Sequence, residues 1–135
     1  MRLIDLGEEP YVSLTTFKRD GTPVSTPVWV ARDDGQLLIH SAAESWKVKR
    51  IRRNQHVRLT ACSYKGKVHG ATFDGDARIL ADTARVQELE AEKYGLIYRV
   101  FRGLTALNRW LRRKPDVEAV TIAIAPAAEA PVVDA

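Results

Sequence analysis

Residues His40 to Leu59 read HSAAESWKVKRIRRNQHVRL. An apolar strand runs out into small and polar residues, a short basic segment follows, and a new alternating run begins. Lys47, Lys49, Arg50, Arg52 and Arg53 fall within seven positions. Ser45 has the side chain of a helix N-cap, since its hydroxyl can accept from the unpaired N–H groups of a first turn. Val48 and Ile51, three apart, then share a core-facing side of a short helix expected to end near Asn54.

Outward from this unit, towards the N-terminus, the chain reads as strands joined by tight turns. Tyr11 to Phe17 alternates, with Val12 and Leu14 on one face and Ser13 and Thr15 on the other. Lys18-Arg19-Asp20-Gly21 is a hairpin turn, because Gly accepts the positive φ that such turns require. Pro23 to Ala31 is the second strand, with Val24, Thr26, Val28 and Val30 on one side; Pro27, lacking an N–H, marks an edge or an interrupted ladder. A turn at Arg32-Asp33-Asp34-Gly35 leads to Gln36–Ser41.

Towards the C-terminus, Val57 to Ser63 is a strand with Val57, Leu59 and Ala61 inward. Tyr64-Lys65-Gly66-Lys67 turns into Ala71 to Leu80, where Gly75 signals a bulge or a close approach by another group. The period then changes. Asp82 or Thr83 caps a helix containing Val86 and Leu89 that stops near Gly95. A second helix, Leu96 to Arg113, carries Ile97, Val100, Phe101, Leu104, Leu107 and Leu111 at helical spacing and is rich in arginine; Pro115 ends it. Val117 to Ala125 is the last strand. Six short, mostly antiparallel strands with alternating faces close most easily into a small barrel, so the expected fold is a mainly β barrel with flanking helices. Residues 1–125 form one domain on this reading, and the Ala/Pro-rich tail 126–135 is expected to be disordered.

At 135 residues the chain can bury a core without disulfides or metal. The single cysteine, Cys62, excludes a disulfide framework and a cysteine metal site. With neither a leader-like segment nor a spanning apolar run, the expected location is the cytoplasm, with no stable membrane insertion. A net charge of +4 and a pI near 9.4 favour an anionic partner: nucleic acid, anionic lipid or a phosphorylated cofactor. His40, His56 and His69 have no metal-ligand spacing, no phosphate loop of the P-loop or dinucleotide type occurs, and no spacing proposes a nucleophilic triad. Self-sufficient acid–base catalysis is therefore not expected. The helix start remains: its free N–H groups and partial positive charge, with Ser45 at the cap and Lys47 in the first turn, are suited to an anion. The same composition would also serve a solvated basic face.

The succession YVSLTTFKRDGTPVSTPVWV, LLIHSAAESWKVKRIRRN, VRLTAC and ATFDGDARIL resembles the flavin-reductase-like split β-barrels, relatives of pyridoxamine 5′-phosphate oxidase. It is most similar to the actinobacterial branch described as coenzyme F420-dependent oxidoreductases. The likeness covers Tyr11 to Leu80 well, and its most specific part is Ser45, Lys47, Ile51 and Asn54 followed by Val57 and Leu59. It implies a six-stranded split barrel, a homodimer with the cofactor between subunits, and a small-molecule substrate. It also implies that Ser41, Ser45 and Lys47 contact the cofactor phosphate or ribityl chain, that Thr26, Pro27 and Val28 line the ring through their backbone beside Trp29, and that Arg50 and Arg53, further along the helix, are the weaker members of the set. Two departures bear on the cofactor. Thr26 stands where the oxidases carry a phosphate-gripping Arg, and Trp46 stands between Ser45 and Lys47 where they carry another. FMN is therefore the alternative and F420 the expectation, with Arg50, Arg52, Arg53, Lys65 and Lys67 as a path for its oligoglutamate tail. Hydride chemistry resides in such a cofactor, which accords with the absence of a catalytic constellation and names no catalytic residue.

Rival readings are an FMN protein or a cofactor store without turnover, and a nucleic-acid-binding barrel; aromatics at 7% and no strand with paired exposed aromatics count against the last. The Leu96–Arg113 helix could pack on the barrel or a partner, lie on anionic lipid, or cover the pocket with Tyr94, Tyr98 and Phe101.

Overall fold

The computed structural model describes residues 2–112 and 118–127, excepting the side chains of Tyr98, Phe101, Arg102, Thr105 and residues 108–112. Seven strands form one sheet: β1 (Val12–Phe17), β2 (Pro23–Val28), β3 (Ala31–Asp33), β4 (Gln36–Ala42), β5 (His56–Cys62), β6 (Val68–Leu80) and β7 (Ala119–Pro126). Every pairing is antiparallel, in the order β2-β1-β5-β6-β7-β4-β3. Helix α1 (Trp46–Arg53) links β4 to β5, and α2 (Ala84–Arg112) links β6 to β7.

The turns follow from local chemistry. Gly21 has φ +88° and donates to the Lys18 carbonyl at 2.9 Å, while the Asp20 carboxylate accepts from the Thr22 N–H at 2.9 Å. Alternation does the rest. Val12 and Leu14 from β1, Leu37 and Ile39 from β4, Val57 and Leu59 from β5, and Ile122 and Ile124 from β7 converge in one core. Val48 and Ile51 of α1 enter the same core from the helix side, as their spacing requires. Leu3, Ile4 and Leu6 enter it as well, from a 3-10 turn at Leu3–Glu8 that the sequence pattern did not announce.

Seven strands are found where six were expected, because the run from Pro23 to Ala31 divides. At Val30 the backbone N–H donates to the Tyr94 hydroxyl at 3.1 Å. Its carbonyl accepts from Lys93 Nζ at 2.6 Å and from the Tyr94 hydroxyl at 3.1 Å. Side chains from α2 thus satisfy the backbone that a strand partner would otherwise satisfy, and the chain turns from β2 into β3. Gly75 is the close approach the sequence signalled: a Cβ there would stand 2.7 Å from Ile124 Cγ2 and 3.1 Å from Leu3 Cδ1. The register shift lies instead further along the β5–β6 ladder, between Thr60 and Cys62, whereas Gly75 faces Val57 in regular register.

The Asp82 carboxylate accepts from the Ala84 N–H at 2.9 Å and opens α2, whose first half packs Val86 and Leu89 on Leu38 and Ala123. Gly95, with φ +54° and ψ −123°, breaks the helix in two at the place where the pattern changes. The expected stop at Pro115 and the tail from 128 to 135 lie outside the described residues; Pro126 itself closes β7, opposite Gly75.

Candidate functional site

β4 ends at Ser41 and Ala42, and the Ser45 N–H bonds back to the Ala42 carbonyl at 3.1 Å, so strand end and helix start are folded onto one another. The consequence is a pair of hydroxyls: Ser41 Oγ lies 3.2 Å from Ser45 Oγ. Ser41 is buried, and Ser45 caps α1 by accepting from the Val48 N–H at 3.5 Å. Lys47, in the first turn, is half-buried, and desolvation holds its ammonium below the usual lysine range. It has no hydrogen-bond or ion-pair partner among the described residues. Two adjacent hydroxyls and an uncompensated, desolvated cation at a helix start form a donor set suited to a phosphate.

Further along α1 the side chains part. Arg50 is half-buried and donates to Thr16 Oγ1 at 3.4 Å, which draws it to the β1–β2 pair. Thr16 faces Val24 in the ladder, and Thr26 is the next residue on that face of β2, opposite Leu14. Arg52 and Arg53 are exposed. Trp46 is 69% exposed with the Lys49 ammonium 4.6 Å from its ring centroid, so it covers no core.

On β2, Thr26 and Val28 are half-buried and Pro27 is exposed, at the edge of the sheet, as a residue without an N–H requires. The β5–β6 turn approaches it: a Cβ on Gly66 would lie 3.8 Å from Pro27 Cδ. Lys65 and Lys67 therefore flank Pro27, whereas Arg53 lies just before the opposite end of β5. At about 3.3 Å per residue the seven-residue strand separates these groups by about 20 Å. Arg50, Arg52 and Arg53 thus lie before one end of β5, and Lys65 and Lys67 after the other.

Trp29 is stacked on Tyr94, centroids 4.3 Å apart and planes 10° from parallel. The Tyr94 hydroxyl also lies 2.8 Å from the Pro10 carbonyl, which shares the hydroxyl's single proton with the Val30 carbonyl. Beside it Lys93 Nζ donates to the carbonyls of Gly7, Glu9 and Val30 at 2.7, 2.6 and 2.6 Å. Burial draws the Lys93 pKa down to about 8, against Glu8, Glu90 and Glu9, which favour the charged form. Burial likewise pushes the Tyr94 phenol well above its ordinary range. This fastening is what the sequence reading missed, and it ties Tyr94 to the backbone of Val30 and Pro10. A lysine and a tyrosine at the end of an amphipathic helix carry no signal that distinguishes them from solvated residues; only the tertiary contacts do. The side chains of Tyr98 and Phe101 lie outside the described residues.

An antiparallel sheet wrapped around one core, with a short capped helix between β4 and β5, is the split-barrel architecture. The sequence matches the pyridoxamine 5′-phosphate oxidase family model over residues 5–127, and the chain belongs to that family. Among solved structures it is similar to a protein described as an F420 reductase, at 21% identity, TM-score 0.61 and 92% coverage of both chains. It is also similar to a pyridoxamine 5′-phosphate oxidase-like protein from Listeria innocua, at 20% identity and TM-score 0.57, covering 93% of this chain and 94% of that one. A third is the haem storage protein HutZ from Vibrio cholerae, at 14% identity and TM-score 0.63, covering 96% and 93%. None of the proteins of curated function matches the chain.

Proposed function

We propose that this chain is an oxidoreductase that uses coenzyme F420, acting as a homodimer on a small unsaturated organic substrate. The observation that carries the reading is Lys47, half-buried in the first turn of the helix that Ser45 caps and without a side-chain partner among the described residues, two positions after the Ser41–Ser45 hydroxyl pair. An ammonium held out of water without compensation is costly, and a bound phosphate offsets that cost. Ser41, Ser45 and Lys47 would hold the cofactor phosphate. The backbone of Thr26, Pro27 and Val28 would lie along the ring, with Trp29 held in place by its stack on Tyr94.

The deazaflavin, when bound, supplies the hydride chemistry, so the protein has to bind, orient and exclude water. Arg50, Arg52 and Arg53 offer positive charge to the oligoglutamate tail from the far half of α1; Lys65 and Lys67 would meet it only from the other end of β5. Thr26 and Trp46, where the oxidases have arginines, favour F420 over FMN. The similarity to an F420 reductase supports the same choice, while the similarity to a haem storage protein belongs to the fold.

Equilibrium binding followed by cofactor fluorescence, at low and high salt, tests this. The expected result is F420 binding that weakens with salt, FMN binding at least tenfold poorer, and loss of F420 binding in Lys47→Met. A preference for FMN overturns the cofactor assignment. If neither binds, the basic start of α1 is solvated surface.

A further inference from the structure

Every described side chain from residue 96 to 107 is exposed, including Leu96 at 74%, Ile97 at 66%, Val100 at 51%, Leu104 at 61% and Leu107 at 51%. Positions 96, 100, 104 and 107 recur at helical spacing and form one apolar stripe, which nothing among the described residues covers. Apolar exposure on this scale, gathered on one helix, marks a docking surface.

Charge identifies the occupant. Between Leu96 and Lys114 there are six basic residues, Arg99, Arg102, Arg109, Arg112, Arg113 and Lys114, and no Asp or Glu. This segment carries +6 in a chain of net charge +4, so all the remaining residues together carry −2. The segment that exposes these apolar side chains thus accounts for the net positive charge of the chain, because its six basic residues have no acid among them. A second copy docked stripe to stripe would bring twelve cations together with no acid of the segment to pair them. A nucleic acid would engage the cations and leave the leucines in water. An anionic bilayer surface satisfies both, since the stripe enters the acyl boundary and the basic side chains meet the headgroups.

We infer that the half of α2 beyond Gly95 is a peripheral membrane anchor that lies in the plane of anionic lipid. No helix of the described residues is long and apolar enough to cross a membrane, so the contact is one of lying on the bilayer and not spanning it. Gly95, with φ +54°, sets this half apart from the half fastened by Lys93 and Tyr94, so the barrel and its site stay in water while the anchor docks.

The test is sedimentation of the full chain with vesicles of phosphatidylcholine alone and with about one third phosphatidylglycerol, since each basic residue near an anionic surface raises partitioning roughly fivefold. Binding to the anionic vesicles is expected to be at least tenfold stronger than to the neutral ones, and to collapse in about 1 M salt, where the Debye length is roughly 3 Å. Leu104→Glu with Leu107→Glu is expected to lose at least tenfold in vesicle binding with its circular dichroism and unfolding midpoint unchanged. Three outcomes overturn the inference. The wild type stays unbound to both vesicle types; or the double variant binds as well as wild type, which leaves charge alone at work; or vesicle binding is absent and the substitutions lower the oligomeric mass, which assigns the stripe to a second copy.

Discussion

Lys47 and Lys93 are both half-buried, yet only one is satisfied. Lys93 spends its ammonium on three carbonyls within 2.7 Å, joining the N-terminal turn, the β2–β3 corner and α2. Lys47 spends its charge on nothing among the described residues. The two should respond oppositely to loss of charge. Lys93→Met leaves three acceptors short of a donor and is expected to lower unfolding free energy by about 2 kcal/mol. Lys47→Met removes an uncompensated charge, so the unliganded protein should be as stable or slightly more so, while affinity for an anionic cofactor falls at least tenfold. Urea midpoints of both variants, with and without cofactor, check the contrast. A third residue reports on pH. The Asp74 carboxylate accepts from His56 at 2.8 Å and from Arg58 at 3.2 Å, and these two contacts hold its pKa below the ordinary 3.8. Its contribution is present above that value and is lost as pH falls through the lowered pKa, because the unfolded chain takes up the proton first. Asp74 is exposed, so Asp74→Asn should cost under about 1 kcal/mol at neutral pH, and the difference from wild type should begin to shrink below pH 3.8 and vanish once the pH lies below the lowered pKa.

At the scale of elements, α1 was legible in nearly full detail. Ser45 at the cap, Val48 and Ile51 on the core face and Asn54 at the end are all where their spacing puts them. The reason is that a short amphipathic helix is specified by its own residues. Ser45→Ala tests the cap: about 1 kcal/mol of stability should be lost on denaturation, with cofactor affinity falling further than Thr16→Val makes it fall. The division of β2 from β3 was not legible, because its cause lies more than sixty residues away at Lys93 and Tyr94. The turn at Leu3–Glu8 was missed for a related reason. Leu3, Ile4 and Leu6 form no run with a helical or strand period, and their burial depends on Gly7, where a Cβ would stand 2.5 Å from Arg32 Cβ. Gly95 lies between: its position as a break was readable from composition, and its left-handed φ explains why glycine is there.

Across the whole molecule, the family pattern in the first eighty residues carries the barrel and the helix start, but the order of strands gives the C-terminal segment a weight its composition conceals. β7 lies between β6 and β4, pairing with both, and brings Val120, Ile122 and Ile124 into the core. Nothing in AVTIAIAP distinguishes a central strand from an appended edge; the long pairing partner β6 and the close approach at Gly75 do. Without β7 the sheet falls into two pieces, β2-β1-β5-β6 and β4-β3, each with an apolar face in water and an open edge. A chain ended after Arg112 is therefore expected to show no cooperative thermal transition and to aggregate, whatever becomes of the α2 segment. Replacing Leu104 and Leu107 by glutamate, which alters that segment and leaves β7 in place, should keep the transition of the wild type. Paired calorimetric scans of the two variants decide the point. A cooperative transition in the shortened chain would mean that β4 and β3 close the barrel by another route, and would place the core elsewhere than around Ile122 and Ile124.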